Sequence, residues 1–344
     1  MEDLAPRFAA YLAHRMPQAS NVEVAGVSRI HGGASRETFR LSATWKEGGR
    51  DVARPLVLRR DPVASLIETE RDLEYNAYRA FHPTGLPVPE PLFLETELKW
   101  LDRPFFVMEQ IVGCAAGSPF NPDPYGPLAE KIGRQFWTHL GRIAAAEPKD
   151  IGFEMEAVAP GECWKRELDK WEKVIDEDEL SPQPIARAAI RWLRRNPPPP
   201  AQKLSVVHGD YRTGNFLFNE EGDIKAILDW EMCHLGDPLE DIAWAADPLW
   251  AFATPDRPGG MIPRAEALHL WQEASGLKID PVGLRWWEIF NSLKGLAIWI
   301  SAGKEYHTGA NRDPILALSS WYCTDMHDRI LAGRLSALAK EERA

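Results

Sequence analysis

Val206–Trp244 reads VVHGDYRTGNFLFNEEGDIKAILDWEMCHLGDPLEDIAW, and the fold is decided by how this stretch is read. Val206 and Val207 read as the end of a buried strand, followed by His208-Gly209-Asp210, a short polar turn and Asn215. Phe216, Leu217 and Phe218 form a second apolar run, and Asn219-Glu220-Glu221-Gly222-Asp223 is a turn cluster. Ile224 to Leu228 is a third apolar run, closed by Asp229-Trp230-Glu231. This strand–turn–strand pattern predicts Asp210, Asn215 and Asp229 at the ends of neighbouring strands. A carboxylate and an amide from one loop, with a carboxylate across a hairpin, suit a hard divalent cation such as magnesium. With Asn215 and Asp229 on the metal, Asp210 is left to face an acceptor hydroxyl.

HGDYRTGN resembles the H-x-D-x-x-x-x-N loop of the aminoglycoside phosphotransferase-like and choline kinase-like small-molecule kinases. Ile-Leu-Asp-Trp-Glu resembles their metal-binding segment, and Gly236-Asp237-Pro238-Leu239-Glu240-Asp241-Ile242-Ala243 matches as well. H-x-D alone would carry little; its order and spacing with Asn215, Asp229 and Asp241 give the resemblance its specificity. Within the family, the Leu-Arg-Arg strand ending and Ile-Leu-Asp-Trp-Glu are most similar to kinase domains associated with acyl-CoA dehydrogenases.

The resemblance runs from about Val24 to the C-terminal helices. It implies an α+β, protein-kinase-like fold in two lobes. Residues 1–110 would form a small antiparallel sheet lobe with a helix, covering the nucleotide. Residues 111–344 would form a larger, mostly helical lobe with the catalytic loop, metal site and substrate-binding region. ATP and Mg2+ would occupy the cleft, and the γ-phosphoryl group would pass to a hydroxyl of a small molecule. Asp210 would be catalytic, and Asn215 and Asp229 would hold the metal. His208 is expected as a hydrogen-bonded support of the loop, and Asp241 as a brace or helix cap.

Working outward, Asn21 to Trp45 reads as two strands around the small-residue loop His31-Gly32-Gly33-Ala34-Ser35-Arg36. Such a loop brings backbone N–H groups to phosphates, and Ser35 adds a hydroxyl; a plain hairpin would use the same glycines. Leu56 to Arg60 is a third strand. Where the family carries a lysine for the α- and β-phosphates, this chain carries Arg59, which holds phosphate through a planar fork. Arg60 is expected on the opposite, solvated face. Ile67 to Phe81 is predicted helical, with Glu74 expected to pair with Arg59 and Glu70 as the alternative. PFFVMEQIVG, from Pro104, is similar to the strand leading to the hinge. Met108, Glu109 and Ile111 are its candidate main-chain contacts to adenine.

The 344 residues suffice for two lobes. Net charge is −11, which argues against a nucleic-acid binder, and no apolar run reaches membrane-spanning length. Four scattered cysteines and an acidic N-terminus without a signal pattern imply a reducing, cytoplasmic setting. Nothing in the sequence specifies an oligomeric state.

A metallophosphoesterase would need further histidine ligands, and a regulatory pseudokinase would not need an intact Asp210–Asn215–Asp229 set. For the acceptor, Leu284 to Ile300 (LRWWEIFNSLKGLAIWI) and the terminus LSALAKEERA offer few acids for a polycationic aminoglycoside. Most of those aromatics are expected in the core, yet a helical region so rich in Trp suits an apolar or acyl body. Lys294 is expected to meet a carboxylate or phosphate. The expected acceptor is therefore a hydroxyacyl-CoA or another apolar hydroxylated metabolite, with an antibiotic as the alternative.

Overall fold

The computed structural model describes residues 3–30, 37–61 and 71–341. Helix α1 (Leu4–Arg15) carries Leu4, Phe8, Tyr11 and Leu12 on one face. Strands β1 (Ala19–Ile30), β2 (Glu37–Glu47) and β3 (Arg50–Arg60) follow. Next come α2 (Arg71–Phe81), β4 (Pro91–Glu95), the single turn α3 (Leu98–Leu101) and β5 (Phe105–Glu109). The strands form one antiparallel sheet in the order β1-β2-β3-β5-β4.

Strand alternation separates the two faces of this sheet. Phe39, Leu41, Ala43, Trp45, Leu56, Leu58, Phe105 and Val107 point to α1 and close a core with its apolar stripe. Each fully buried Phe or Leu there contributes about 1.5–3 kcal/mol. The intervening residues, Arg59 and Phe106, face α2: Tyr75 and Tyr78 lie 6.1 and 6.3 Å from the Phe106 ring. These elements belong to the first of two compact units, Met1–Cys114 with Lys225–Glu231. The later segment is anchored there by Ile227 N–H on the Pro87 carbonyl (2.8 Å) and by Trp230 stacked on Phe81 at 4.7 Å.

Arg60 departs from its expected solvated position. It lies directly opposite Glu37 in the β2–β3 register and donates to that carboxylate at 2.7 and 3.0 Å. Arg103 joins the same carboxylate at 2.6 Å. Cross-strand pairing of opposite charges outweighed solvation here.

The second unit, Ala115–Ile224 with Met232–Ala344, is mostly helical. Its chain runs through α4 (Ala129–Ala145), α5 (Cys163–Asp178), α6 (Pro184–Arg195), β6 (Ser205–Val207) and β7 (Phe216–Phe218). Strand β8 (Ile224–Ile227) begins in this unit and ends in the first. Then follow β9 (His234–Gly236), α7 (Leu239–Ala245), α8 (Arg264–Ser275), α9 (Pro281–Thr308), α10 (Pro314–Leu318) and α11 (Thr324–Glu341). Helices α4 and α8 approach closely because Gly141 has no side chain: a Cβ there would meet Ala274 Cβ at 2.6 Å.

One expectation is corrected in this unit. Strand β6 pairs with β9, not with the strand after the His208–Asn215 turn, through Val206↔Leu235 and Val207↔His234. His-Leu-Gly is too short to show a strand period. The C-terminal helix is interrupted by a π-helical turn, Ser319–Cys323, where the Ser319 and Ser320 hydroxyls donate to the Ile315 and Ala317 carbonyls.

Helix α9, capped by Asp280 on the Val282 and Gly283 N–H groups, is buried nearly all round from Gly283 to Ala302. Trp286, Trp287, Phe290, Leu293 and Ala297 are therefore core, and they offer no pocket wall. Among the described residues no helix is long and apolar enough to cross a membrane.

Candidate active site

Within the first unit, β3 aims Arg59 at three carboxylates. Its Nη1 lies 2.7 Å from Glu74 on α2 and 2.6 Å from Asp229, and Nη2 lies 3.7 Å from Glu231. Burial, to 7% exposure, works against the Arg59 charge; Glu74 and Asp229 outweigh it and hold its pKa well above the ordinary value. The guanidinium also lies 5.9 Å from the Phe106 ring centre. Asp229 adopts φ +61, a conformation that costs a non-glycine residue about 1–3 kcal/mol, and its N–H donates to the Tyr78 hydroxyl at 3.1 Å. That strained turn presents the Asp229 side chain to Arg59 while leaving it 39% exposed, whereas Glu74 is fully enclosed.

Within the second unit, β6 leads into a loop fixed on all sides. Gly209 has φ +83, and a Cβ there would meet the Met232 carbonyl oxygen at 2.4 Å, so glycine is required. The N–H groups of His208 and Gly209 donate to the two oxygens of Asp241 at 2.7 and 2.9 Å. Burial pushes the Asp241 carboxyl up to about 6, against the pull of those two donors. His208 is fully buried, and its Nδ1 accepts the Asp210 N–H at 3.1 Å. The Tyr211 hydroxyl donates to Phe136 O on α4 at 2.8 Å, and Thr213 Oγ1 to Gly259 O at 3.2 Å.

The Asp210 carboxylate is held by three donors. Arg212 Nε and Trp244 Nε1 reach Oδ1 at 2.9 and 2.7 Å, and Asn215 Nδ2 reaches Oδ2 at 2.5 Å. Asn215 Nδ2 also donates to the Asp210 carbonyl at 2.9 Å, which leaves its amide oxygen as an acceptor. Arg212 sits over the Trp250 ring at 4.7 Å. Neither Arg212 nor Trp244 was singled out from sequence. Arg212 stands inside HGDYRTGN, so its place in the motif was the available signal; Trp244 reaches Asp210 only through the fold.

The amide oxygen of Asn215, in the second unit, and the carboxylate of Asp229, in the first, are each hard donors of the kind magnesium takes. The structure gathers Asp210, Asn215, His208 and Asp241 in the second unit and Arg59, Glu74 and Asp229 in the first. Gly33, Ser35 and the alternative Glu70 lie outside the described residues. At the hinge candidates, Met108 is buried and faces Val57 and Pro91 in register. Glu109 N–H already donates to Glu90 O at 2.9 Å, and Gln110 N–H to Pro55 O at 3.1 Å. Ile111 follows them.

Buried Lys294 meets no outside group: its ammonium donates to Glu240 Oε1 at 3.0 Å and to Gly209 O at 2.6 Å. Glu167, His234 and Glu240 bring ligand atoms within 4.8 Å of one another. Arg166 on Glu167 (3.1 Å) and Lys294 on Glu240 already balance that cluster's charge.

The chain is similar to part of chicken (Gallus gallus) acyl-CoA dehydrogenase family member 11, with 28% identity over 222 residues. The match covers 64% of this chain and 27% of the relative, so the chain spans about a quarter of that protein's length. A solved structure from Ralstonia eutropha assigned to the aminoglycoside phosphotransferases superposes with TM-score 0.72 at 20% identity, covering 96% of this chain and 98% of that one. A thermostable mutant of the aminoglycoside phosphotransferase APH(4)-Ia, in ternary complex with ADP and hygromycin B, gives TM-score 0.55 at 16% identity, covering 96% and 97%. The fold is thus the α+β, protein-kinase-like one. The family model of the phosphotransferase enzymes matches residues 26–277, well over half of the sequence, and the chain belongs to that family.

Proposed function

We propose that this protein transfers the γ-phosphoryl group of ATP, with magnesium, to a hydroxyl of a small molecule that carries an apolar or acyl portion. The observation that carries the reading is the Asp210 carboxylate, held by Arg212, Trp244 and Asn215 on a loop whose backbone is clamped by Asp241. A carboxylate fixed in this way can accept a hydrogen bond from an acceptor hydroxyl and take its proton as the new P–O bond forms. Arg59, backed by Glu74, is read as the cation for the nucleotide phosphates, with Gly33 and Ser35 as backbone and hydroxyl donors. Ile111 is the favoured main-chain contact for adenine, since the N–H groups of Glu109 and Gln110 are already used. Asn215 and Asp229 are read as the magnesium ligands. Bound magnesium would neutralise charge on the phosphate oxygens. The ADP in the APH(4)-Ia complex supports a nucleotide donor.

For the acceptor, support comes from the surface around the catalytic loop. Phe120, Trp321 and Tyr322 are exposed, Trp321 at 74%, and the Phe120 and Tyr322 rings lie 6.5 Å apart. The segment leading to Phe120 runs beside the loop: a Cβ on Gly214 would lie 3.5 Å from Gly117 O and 3.7 Å from Pro119 Cδ. Exposed aromatics suit an apolar body better than a polycation. Similarity to part of an acyl-CoA dehydrogenase family member favours hydroxyacyl-CoA as the acceptor class, and the proposed setting is the cytoplasm.

The test is an ATP-consumption screen over hydroxyacyl-CoAs, hydroxy acids, sugars and aminoglycosides. The reading expects the highest kcat/KM on a hydroxyacyl compound and low activity on kanamycin-type drugs. An aminoglycoside used well above every hydroxyacyl compound would overturn the acceptor class.

A further inference from the structure

Lys294 is 1% exposed in the middle of α9, in the second unit. Its ammonium donates to the Gly209 carbonyl at 2.6 Å and to Glu240 Oε1 at 3.0 Å. The Nζ lies 5.3 Å from the Trp244 ring centre and 5.8 Å from that of Trp171. Glu240 is fastened further: its Oε2 meets His234 Nε2 at 3.0 Å, and its carbonyl accepts from Asn291 Nδ2 at 2.9 Å, one turn before Lys294. Lys294 and His234 together hold the Glu240 carboxyl below its usual range, although burial alone would push it up.

Two paths lead from this ammonium to Asp210. The first is the backbone: the Gly209 carbonyl accepts from Lys294 and the Asp210 N–H donates to His208 Nδ1, so the peptide entering Asp210 is held at both polar groups, and the Gly209 N–H before it is held by Asp241. The second runs through Trp244, whose ring packs against Lys294 and whose N–H holds Asp210 Oδ1 at 2.7 Å. A buried ion pair is often no more stabilising than apolar residues of the same size, so stability alone is a weak reason for a lysine here. The donor spent on Gly209 does.

We propose that Lys294 is a positioning residue for the phosphoryl transfer: through the Gly209 carbonyl and the Trp244 ring it sets the orientation of Asp210. The proposal rests on Asp210 as the catalytic carboxylate. Lys294 itself touches neither nucleotide nor acceptor, and its loss acts on the catalytic step.

The experiment compares wild type with Lys294→Met/Glu240→Gln, which removes both charges together, and with Lys294→Arg and Asp210→Ala. Three quantities are read: the thermal midpoint, hydrogen exchange of the 206–215 segment, and magnesium-ATP hydrolysis with water as acceptor. The double variant should unfold within a few degrees of wild type, because a buried pair replaced as a pair costs little. Its 206–215 amides should exchange about tenfold faster, a local opening that leaves the rest of the chain unchanged. Its kcat should fall about 10–100-fold with KM for ATP unchanged, since a misplacement of about 1 Å costs that much.

Lys294→Arg, which keeps the charge, should recover part of the kcat. Wild-type exchange and kcat in the double variant, with Asp210→Ala inactive, would overturn the proposal and leave Asp210 in place. A fully active Asp210→Ala would instead overturn the reading beneath it. Should the double variant fail to fold, Lys294→Arg decides: reduced kcat at constant KM for ATP supports the positioning role, and wild-type kcat and exchange refute it.

Discussion

Two buried cations, one in each unit, are held in opposite ways. Arg59 faces three carboxylates, those of Glu74, Asp229 and Glu231, and its Nε has no partner among the described residues. Lys294 faces one carboxylate, Glu240, and spends a second donor on a backbone carbonyl. The difference separates the proposed ligand site from the proposed brace. The Lys294–Glu240 pair, joined by His234 and sealed from water, is settled internally and holds its surroundings in place. Three carboxylates share one guanidinium, and the most exposed of them, Asp229, can serve a second cation.

The comparison is broken most severely by substitutions at Asp210 and Asp229. Asp210→Ala should lower transfer about 10²–10⁴-fold while ATP affinity, read by calorimetry, stays near wild type. Asp229→Ala should lower activity about 10²–10³-fold and raise the magnesium requirement, because it removes both a proposed metal ligand and a partner of Arg59. A zinc-dependent activity resistant to EDTA that survives Asp229→Ala would favour a hydrolase instead.

A matched pair of double variants sharpens the contrast. Arg59→Met/Glu74→Gln should weaken ATP binding about tenfold or more, the worth of one to two charge-assisted hydrogen bonds. Lys294→Met/Glu240→Gln should leave ATP affinity unchanged. Equal ATP affinities in the two would remove the distinction between site and brace.

The smallest effects are on stability against pH, and the second unit's histidines carry opposite signs. Burial holds His139, on α4, down at about 4. The unfolded chain takes up that proton near 6.5, so this contribution to stability is lost as pH falls from about 6.5 to about 4. For His234, burial lowers the pKa but Glu167 and Glu240 raise it further. Its contribution is full below about 6.5 and is lost as pH rises through the folded value. Urea midpoints at pH 5 and 8 should therefore show His139→Phe flattening the acid side and His234→Gln costing more at the lower pH.

Much of this was legible in the sequence where spacing carries the signal. Asn21 to Trp45 was read as two strands around a small-residue loop, and Phe39, Leu41 and Ala43 do alternate into the core as a strand must. The order of Asp210, Asn215, Asp229 and Asp241 gave the family and the kinase-like fold. Partner choice was less legible. Arg60 was expected in solvent and is bound to Glu37, because register across two strands decides who stands opposite. Most of the α9 aromatics were expected in the core and are there, but Lys294 was expected to serve an acceptor and is enclosed, because α9 is buried nearly all round, which helical spacing alone does not reveal. Trp244 on Asp210 was invisible for the same reason: the contact spans 34 positions and exists only once the loop and α7 are packed.

The central claim is that Asp210 serves a phosphoryl transfer from ATP to a hydroxyl, and one measurement reaches it. ATP labelled in the γ-phosphoryl group is incubated with magnesium and the hydroxyacyl-CoA panel, using wild type and Asp210→Ala. The expected result is label on a hydroxyl of a hydroxyacyl compound with wild type, none without magnesium, and almost none with Asp210→Ala. Label transferred by Asp210→Ala at the wild-type rate would contradict the claim.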